Sequence, residues 1–169
     1  MKTPDTSCPI ARTARIIGDE WVLLVLRELF REPQRFDDLQ KRTGAATNIL
    51  ASRLKRLVEA GLVEKEPYQA RPLRYAYQLT RRGLALFPAL LELMRFGMEW
   101  LPVDTPPPFR LVHADCGKMT LPGQVCTACG RPVKLGNVRM LPAEPAADTC
   151  AAHAVAAEPA ATPERSGAA

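Results

Sequence analysis

The stretch RFDDLQKRTGAATNILASRLKRLVEAG, residues 35–61, constrains the fold more than any other segment. It sets a short helical run against a longer one across the tight turn TGAAT, which leaves few ways to arrange the two helices. In the first run Asp37 is placed to cap the helix, Gln40 to return the bond of a capping box, and Gly44 to stop it. Thr47 suits the N-cap of the second run, where Leu50, Leu54, Leu57 and Val58 share one stripe and Gly61 ends the helix. After Gly61 the hydrophobic period changes. LVEKEPYQARPLRYAYQL reads as two short strands, about 62–66 and 74–79, around a turn holding Gln69, Ala70, Arg71 and Pro72.

Helical periodicity flanks this unit. Ile10, Ala14 and Ile17 recur at helical spacing between Pro9 and Gly18, and a second helix starting at Asp19 is expected to bury Trp21, Leu24, Val25 and Leu29. Downstream, Thr80 is expected to cap a long helix carrying Leu84, Phe87, Leu91, Met94, Met98 and Leu101, kinked at Pro88. Helix, helix, short helix, turn, helix, hairpin is the order of a winged helix–turn–helix, whose fourth helix can enter a DNA major groove.

Charge supports a polyanionic partner. The chain carries a net +5, yet residues 41–82 alone hold ten basic residues against three acidic ones, a net of +7. With Leu50, Leu54 and Leu57 facing inward, helical geometry turns Asn48, Ser52, Arg56 and Glu59 outward, flanked by Ile49 and Lys55, with Arg53 nearer the boundary. Asn48 can bond an adenine edge, and Ser52 a base or a phosphate. Ile49 can pack on a thymine methyl, and the basic residues can reach guanine or phosphate. Arg71 and Arg74, in the hairpin, suit the negative potential of a narrow minor groove. The candidate DNA-binding set is Thr47, Asn48, Ile49, Ser52, Arg53, Lys55, Arg56, Arg71 and Arg74. For any single member, an ordinary solvated charge is the alternative.

CPIARTARIIGDEW, RFDDLQKRTGAATNILASRLKRLVEAGLVEK and PLRYAYQLTRRGLAL together resemble the HxlR-type bacterial transcriptional regulators, relatives of the MarR winged-helix proteins, over residues 8–103. The resemblance implies a homodimer built on the first helix and the long helix after the wing, reading a pseudo-palindromic operator. The apolar residues from 84 to 101, with Trp100, suit such a face, although the helix could instead pack on its own domain. Several oxidant- or electrophile-sensing members carry a cysteine just before the proline of the first helix, the position of Cys8 in CPI. A helix N-terminus favours a thiolate, which gives Cys8 a route to redox sensing; the alternative is a cysteine that fills an N-cap-like niche.

Beyond a proline-rich linker at 104–109 lies HADCGKMTLPGQVCTACG, residues 113–130. His113 and Cys116, then Cys126 and Cys129, form two halves with two-residue spacing, each followed by glycine, as in a zinc ribbon. All four ligand positions of a structural Zn2+ site would be filled by protein, leaving none open for hydrolysis. A CxxC redox pair beside an uninvolved His113, or a remnant that packs without metal, are the alternatives.

The expected fold class is mainly α with a small β-hairpin: a winged helix–turn–helix domain at 8–103, then the linker, a zinc-ribbon-like segment at 110–141 and a disordered Ala/Pro-rich tail at 142–169. Cys150 and His153, in that tail, are read as incidental. No phosphate-cradling glycine loop and no nucleophile–base constellation appears, so no enzyme is expected. The N-terminus lacks the apolar block of a secretory signal and no run is long enough for a membrane span, so the expected location is cytoplasmic, with no membrane partner. The expected function is a sequence-specific DNA-binding regulator, a dimeric repressor with helix 48–60 in the major groove and the 67–74 wing in the minor groove. The competing readings are a redox- or metal-responsive regulator acting through Cys8 or the Cys3His cluster, and a winged-helix protein-interaction module.

Overall fold

The computed structural model describes residues 7–101, 103–105, 107 and 109–142. Helices α1 (Pro9–Ile17) and α2 (Glu20–Leu29) lead through strand β1 (Gln34–Arg35) to α3 (Phe36–Thr43) and α4 (Thr47–Glu59). A hairpin of β2 (Val63–Ala70) and β3 (Leu73–Leu79) follows, then α5 (Arg81–Leu84), α6 (Phe87–Trp100) and strands β4 (Phe109–His113), β5 (Lys118–Thr120) and β6 (Val138–Pro142). The strands make two antiparallel three-stranded sheets, ordered β1-β3-β2 and β5-β4-β6. The mainly helical winged helix–turn–helix with its hairpin is therefore present; the hairpin sheet gains a third strand, β1, and the 110–141 segment forms a sheet of its own, neither of which the sequence advertised. Most residues of the expected tail lie outside the described residues; Pro142, assigned to it, instead closes β6 opposite Phe109, itself expected in the linker.

The main core joins α2, α3, α4 and the start of β2. Val22, Val25, Leu26, Leu29, Leu39, Leu50, Leu54, Leu57, Leu62 and Val63 are buried together. At roughly 1.5–3 kcal/mol for each large aliphatic side chain removed from water, this cluster is the principal force holding α4 in place. Trp21 and Leu24, expected inside, are only half-buried; α2 turns Val22 and Leu26 inward instead. One charge enters this region. Glu28 is buried, and Arg27, Arg31 and Arg42 reach its carboxylate at 2.8, 3.2 and 3.7 Å.

Three local expectations change. Asp37 does not cap α3, because the chain enters the helix two residues earlier, with Arg35 at the N-cap; Asp37 and Asp38 sit in the first turn, where the helix dipole favours them. Thr47 is likewise the first residue of α4 rather than its cap, which is Ala46. The Thr47 hydroxyl accepts a bond from Gln40 Nε2 at 2.8 Å, tying α3 to α4 across the turn instead of closing a capping box. The strands also run further than expected, leaving only Arg71 and Pro72 between them.

Thr80 does cap a helix, accepting from the Gly83 N–H at 3.2 Å, but that helix is only one turn long. Pro88 has no N–H to offer and its ring would collide with the carbonyl of Leu84, the last residue of α5, so the expected kink is a full break. Gly83 is needed at this corner: a Cβ there would lie 2.1 Å from the Leu62 carbonyl oxygen.

A second, smaller core docks the cysteine-bearing segment on the helices. Leu111 of β4 packs with Phe87 and Leu91 of α6, supported by Val133, Val138, Met140 and Phe30. Phe30 and Phe87 meet with ring centroids 5.3 Å apart, and the Arg27 guanidinium lies over the Phe109 ring. The segment is thus seated on the helical body rather than held away from it.

Candidate nucleic-acid interface and metal centre

Helix α4 has two faces with different tasks. Leu50, Leu54 and Leu57 are welded into the core, and the opposite stripe exposes Thr47, Asn48, Ala51, Ser52, Lys55 and Glu59. Ile49, Arg53 and Arg56 are half-buried at its edges. The outward face is therefore rotated from the expected one, toward Ala51 and Lys55 and away from Arg56. Ala51 is an addition that sequence reasoning passed over; its position on the Asn48–Ser52–Lys55 stripe was the available signal.

Arg53 is engaged within the protein. Its Nη2 lies 2.8 Å from Asp19 Oδ2 and its Nε donates to the same oxygen at 3.0 Å. Asp19 Oδ1 meanwhile accepts from the backbone N–H groups of Trp21 and Val22, capping α2. The Arg53 bond holds the Asp19 carboxyl below its usual value; burial opposes that, and the two N–H groups reinforce it. Lys55 pairs only loosely with Glu59, at 3.8 Å on the open surface.

The wing carries Arg71 and Arg74 exposed, as expected. Its base adds residues that sequence reasoning missed. The Arg35 guanidinium stacks 4.3 Å from the centre of the Tyr68 ring, and Lys65 faces Tyr75 and Tyr77. Tyr68 stands at a break in the β2–β3 register, between Pro67 and Gln69, which an alternation pattern cannot reveal.

The four proposed metal ligands converge. Cys116 Sγ and Cys129 Sγ each lie 3.4 Å from His113 Nδ1, Cys116 and Cys126 sulfurs are 3.8 Å apart, and all four ligand atoms fall within 4.8 Å of one another. A tetrahedral zinc with bonds of about 2.3 Å to sulfur and about 2.0 Å to nitrogen would set sulfurs about 3.8 Å apart and nitrogen about 3.5 Å from sulfur. The donor set fits such an ion. His113 is fully buried, and its Nε2, on the far side of the ring from the sulfurs, lies 3.4 Å from Asp115 Oδ2 without a well-directed hydrogen bond.

Two matching turns build the centre. The His113 carbonyl accepts from Gly117 N–H at 2.8 Å, the Cys126 carbonyl accepts from Gly130 N–H at 2.8 Å, and both glycines are left-handed, at φ 66° and 70°. At Cys126 burial pushes the thiol up, but the Ala128 and Cys129 N–H groups and the hydroxyl of Thr120 outweigh it, bringing it to about 6. At Cys116 the Lys118 N–H pulls down, while burial and the Cys129 and Cys126 sulfurs prevail, and the thiol is raised. The Arg131 guanidinium sits beside Cys129 and compensates negative charge there. Cys8, far along the chain, is half-buried at the N-terminus of α1 and makes no side-chain cap bond.

This fold and reading face define a winged helix–turn–helix protein. The chain belongs to the HxlR-like helix-turn-helix family, which its residues 16–105 match. An uncharacterized HTH-type transcriptional regulator of Mycobacterium tuberculosis is 40% identical over 129 residues, 76% of this chain and 82% of that protein. Such a span cannot fit before residue 105, so the likeness reaches past the family match. Among solved structures, PA1607, named a candidate transcription factor, is 36% identical over 80% of this chain and 94% of its own, with a TM-score of 0.63. The oxidized form of the redox regulator HypR is 25% identical over 58% of this chain and all of its own, with a TM-score of 0.53. Among the described residues, no helix is long and apolar enough to cross a membrane.

Proposed function

We propose that the chain is a non-enzymatic, cytoplasmic, dimeric transcriptional repressor that binds a pseudo-palindromic operator through α4 and the wing. One observation carries this reading: α4 exposes a polar and basic stripe on a helix whose other face is locked into the core, beside a basic wing, in a chain of the HxlR-like family. Thr47, Asn48, Ile49, Ser52, Lys55 and Arg56 supply base and phosphate contacts, and Arg71 and Arg74 enter the minor groove. Arg53 acts by fixing the helix to Asp19 as much as by touching DNA.

Dimerisation is supported by the apolar surface left on α1 and α6. Ile10 is 79% exposed, Phe96 53% and Trp100 64%, an unusual density of bare apolar side chains for a finished surface. The working division of the chain is a DNA-reading and dimerising domain at 8–103 and a zinc ribbon at 110–141, in which His113, Cys116, Cys126 and Cys129 would hold a structural Zn2+. Bound there, zinc would supply only a fixed charge and a tetrahedral clasp.

The experiment is an electrophoretic mobility shift with DNA upstream of the chain's own gene and its neighbours, across a salt series. Binding that weakens steeply with salt, and that fails in the triple variant Lys55→Ala, Arg56→Ala, Arg71→Ala, is expected. Salt-insensitive binding, or binding untouched by the triple variant, overturns the reading and leaves a protein-interaction module. A second reading, a metal- or redox-responsive regulator, is supported by the seating of the ribbon on α6 and by the likeness to the redox regulator HypR. Equal operator affinity with and without chelator removes the metal version. An unchanged oxidant response in Cys8→Ser removes Cys8 as sensor.

A further inference from the structure

The seat of the ribbon on the helices is not closed. Between α5–α6 and the 123–135 segment lies a cleft of about 480 Å3, walled by Phe87 and Leu91 on one side and by Val133 and Leu135 on the other. Close-packed interfaces leave few voids larger than a water molecule, whereas sites for small organic molecules run from about 300 to 1,000 Å3. Its lining is mainly apolar. Gln124 and Lys134 are the polar side chains on it, and Lys134 supplies its one charge. Among the described residues no acidic side chain pairs with the Lys134 ammonium.

We infer that this cleft binds a small organic acid, an apolar aliphatic or aromatic body bearing one carboxylate, with the body between the two walls and the carboxylate on Lys134. Lys134 stands exposed at the mouth of the cleft, and with no acidic partner among the described residues its ammonium favours an anionic ligand there over a cationic one. Gln124 offers an amide to the second carboxylate oxygen. Its backbone carbonyl already accepts from the Val133 N–H at 2.8 Å, which pins the two strands of this wall to each other. Because one wall belongs to the helix that bears the exposed apolar face and the other to the metal-bearing segment, an occupant adds contacts that exist only when the two are docked. Occupancy therefore stabilises the docked arrangement. The effect on DNA rests on the regulator reading; the binding site does not.

The test is isothermal titration of the full chain with decanoate, 4-phenylbutyrate and 1-naphthoate, and with decyltrimethylammonium as the charge-reversed control. Saturable one-to-one binding of at least one acid, at least tenfold weaker in Lys134→Glu and lost in Ala85→Trp, which fills the cleft, is expected, with no binding of the cation. Ala85 is exposed on the rim, and a thermal melt of each variant checks that it folds; Lys134→Glu, on the surface, carries the test by itself if Ala85→Trp does not. No saturable binding of any of the three acids up to millimolar concentration overturns the inference, as does equal binding by wild type and Lys134→Glu. A mobility shift with the binding acid then reads coupling: an unchanged operator affinity rejects the regulatory consequence while leaving the site.

Discussion

The two halves of this molecule are held together by different chemistry. The α2–α4 region buries a continuous set of aliphatic side chains and needs nothing else to define its shape. The ribbon contributes one large buried aliphatic residue, Leu111, and otherwise gathers His113, Thr120, Pro122 and Cys126 inside. A segment with so little apolar interior has little burial to offset the entropy of ordering its loops, and the four converging ligand atoms are where a metal would take the place of a core. The lesson is that burial and ligation are interchangeable ways to fix a reading domain and its attachment, with separate sensitivities.

The largest effect separates the two directly. Cys126→Ser is expected to abolish stoichiometric zinc, read by elemental mass spectrometry, and to remove amide-exchange protection from 109–142 while α2–α4 keep theirs. Structural zinc contributes on the order of 10 kcal/mol in small peptides, so loss of order in the ribbon should be complete. Persistent protection without metal would break the comparison. Leu54→Ala acts on the other half, at an expected cost of about 2–5 kcal/mol in denaturant unfolding, with zinc content unchanged. Unequal zinc content in that variant would show that the halves are one cooperative unit.

Smaller effects sharpen the reading face. Lys55→Ala is expected to leave unfolding unaltered and to lower operator affinity about tenfold, flattening the slope of log affinity against log salt by about 0.9. Arg53→Ala should differ by lowering thermal stability as well, because it frees Asp19. The smallest effect is in Asp19→Asn. The folded carboxyl titrates below its ordinary value of 3.8, held there by Arg53, so its contribution is present above that pH and is lost as the pH falls through the depressed value. The stability gap between wild type and Asp19→Asn should therefore shrink on acidification below about pH 4. A gap that persists there would show that the carboxyl's charge is not what matters.

Much of this was legible in the sequence because periodicity reports which side of an element is buried. The stripe of Leu50, Leu54 and Leu57 placed α4, and the two-residue spacing picked out the four side chains that converge at His113, Cys116, Cys126 and Cys129, each from local pattern alone. What escaped depends on contacts distant along the chain. β1 exists because Gln34 and Arg35 find Tyr77 and Ala76, and β6 because Val138–Pro142 returns to β4. That Asp19, thirty-four residues earlier, pairs with Arg53 is likewise invisible in local pattern. The caps moved because Asp37 and Thr47 found other partners or a turn position equally favourable to them.

Asp19 has a mechanical consequence. A single carboxylate grips the first turn of α2 with one oxygen and the middle of α4 with the other. It works as an axle pin. Gly18 is the only residue between α1 and that pin, and α1 presents the bare Ile10 that a second copy would cover. In a dimer built on α1, a tilt of that helix would turn the pin and, with it, the azimuth at which Asn48 and Ser52 would address a DNA groove.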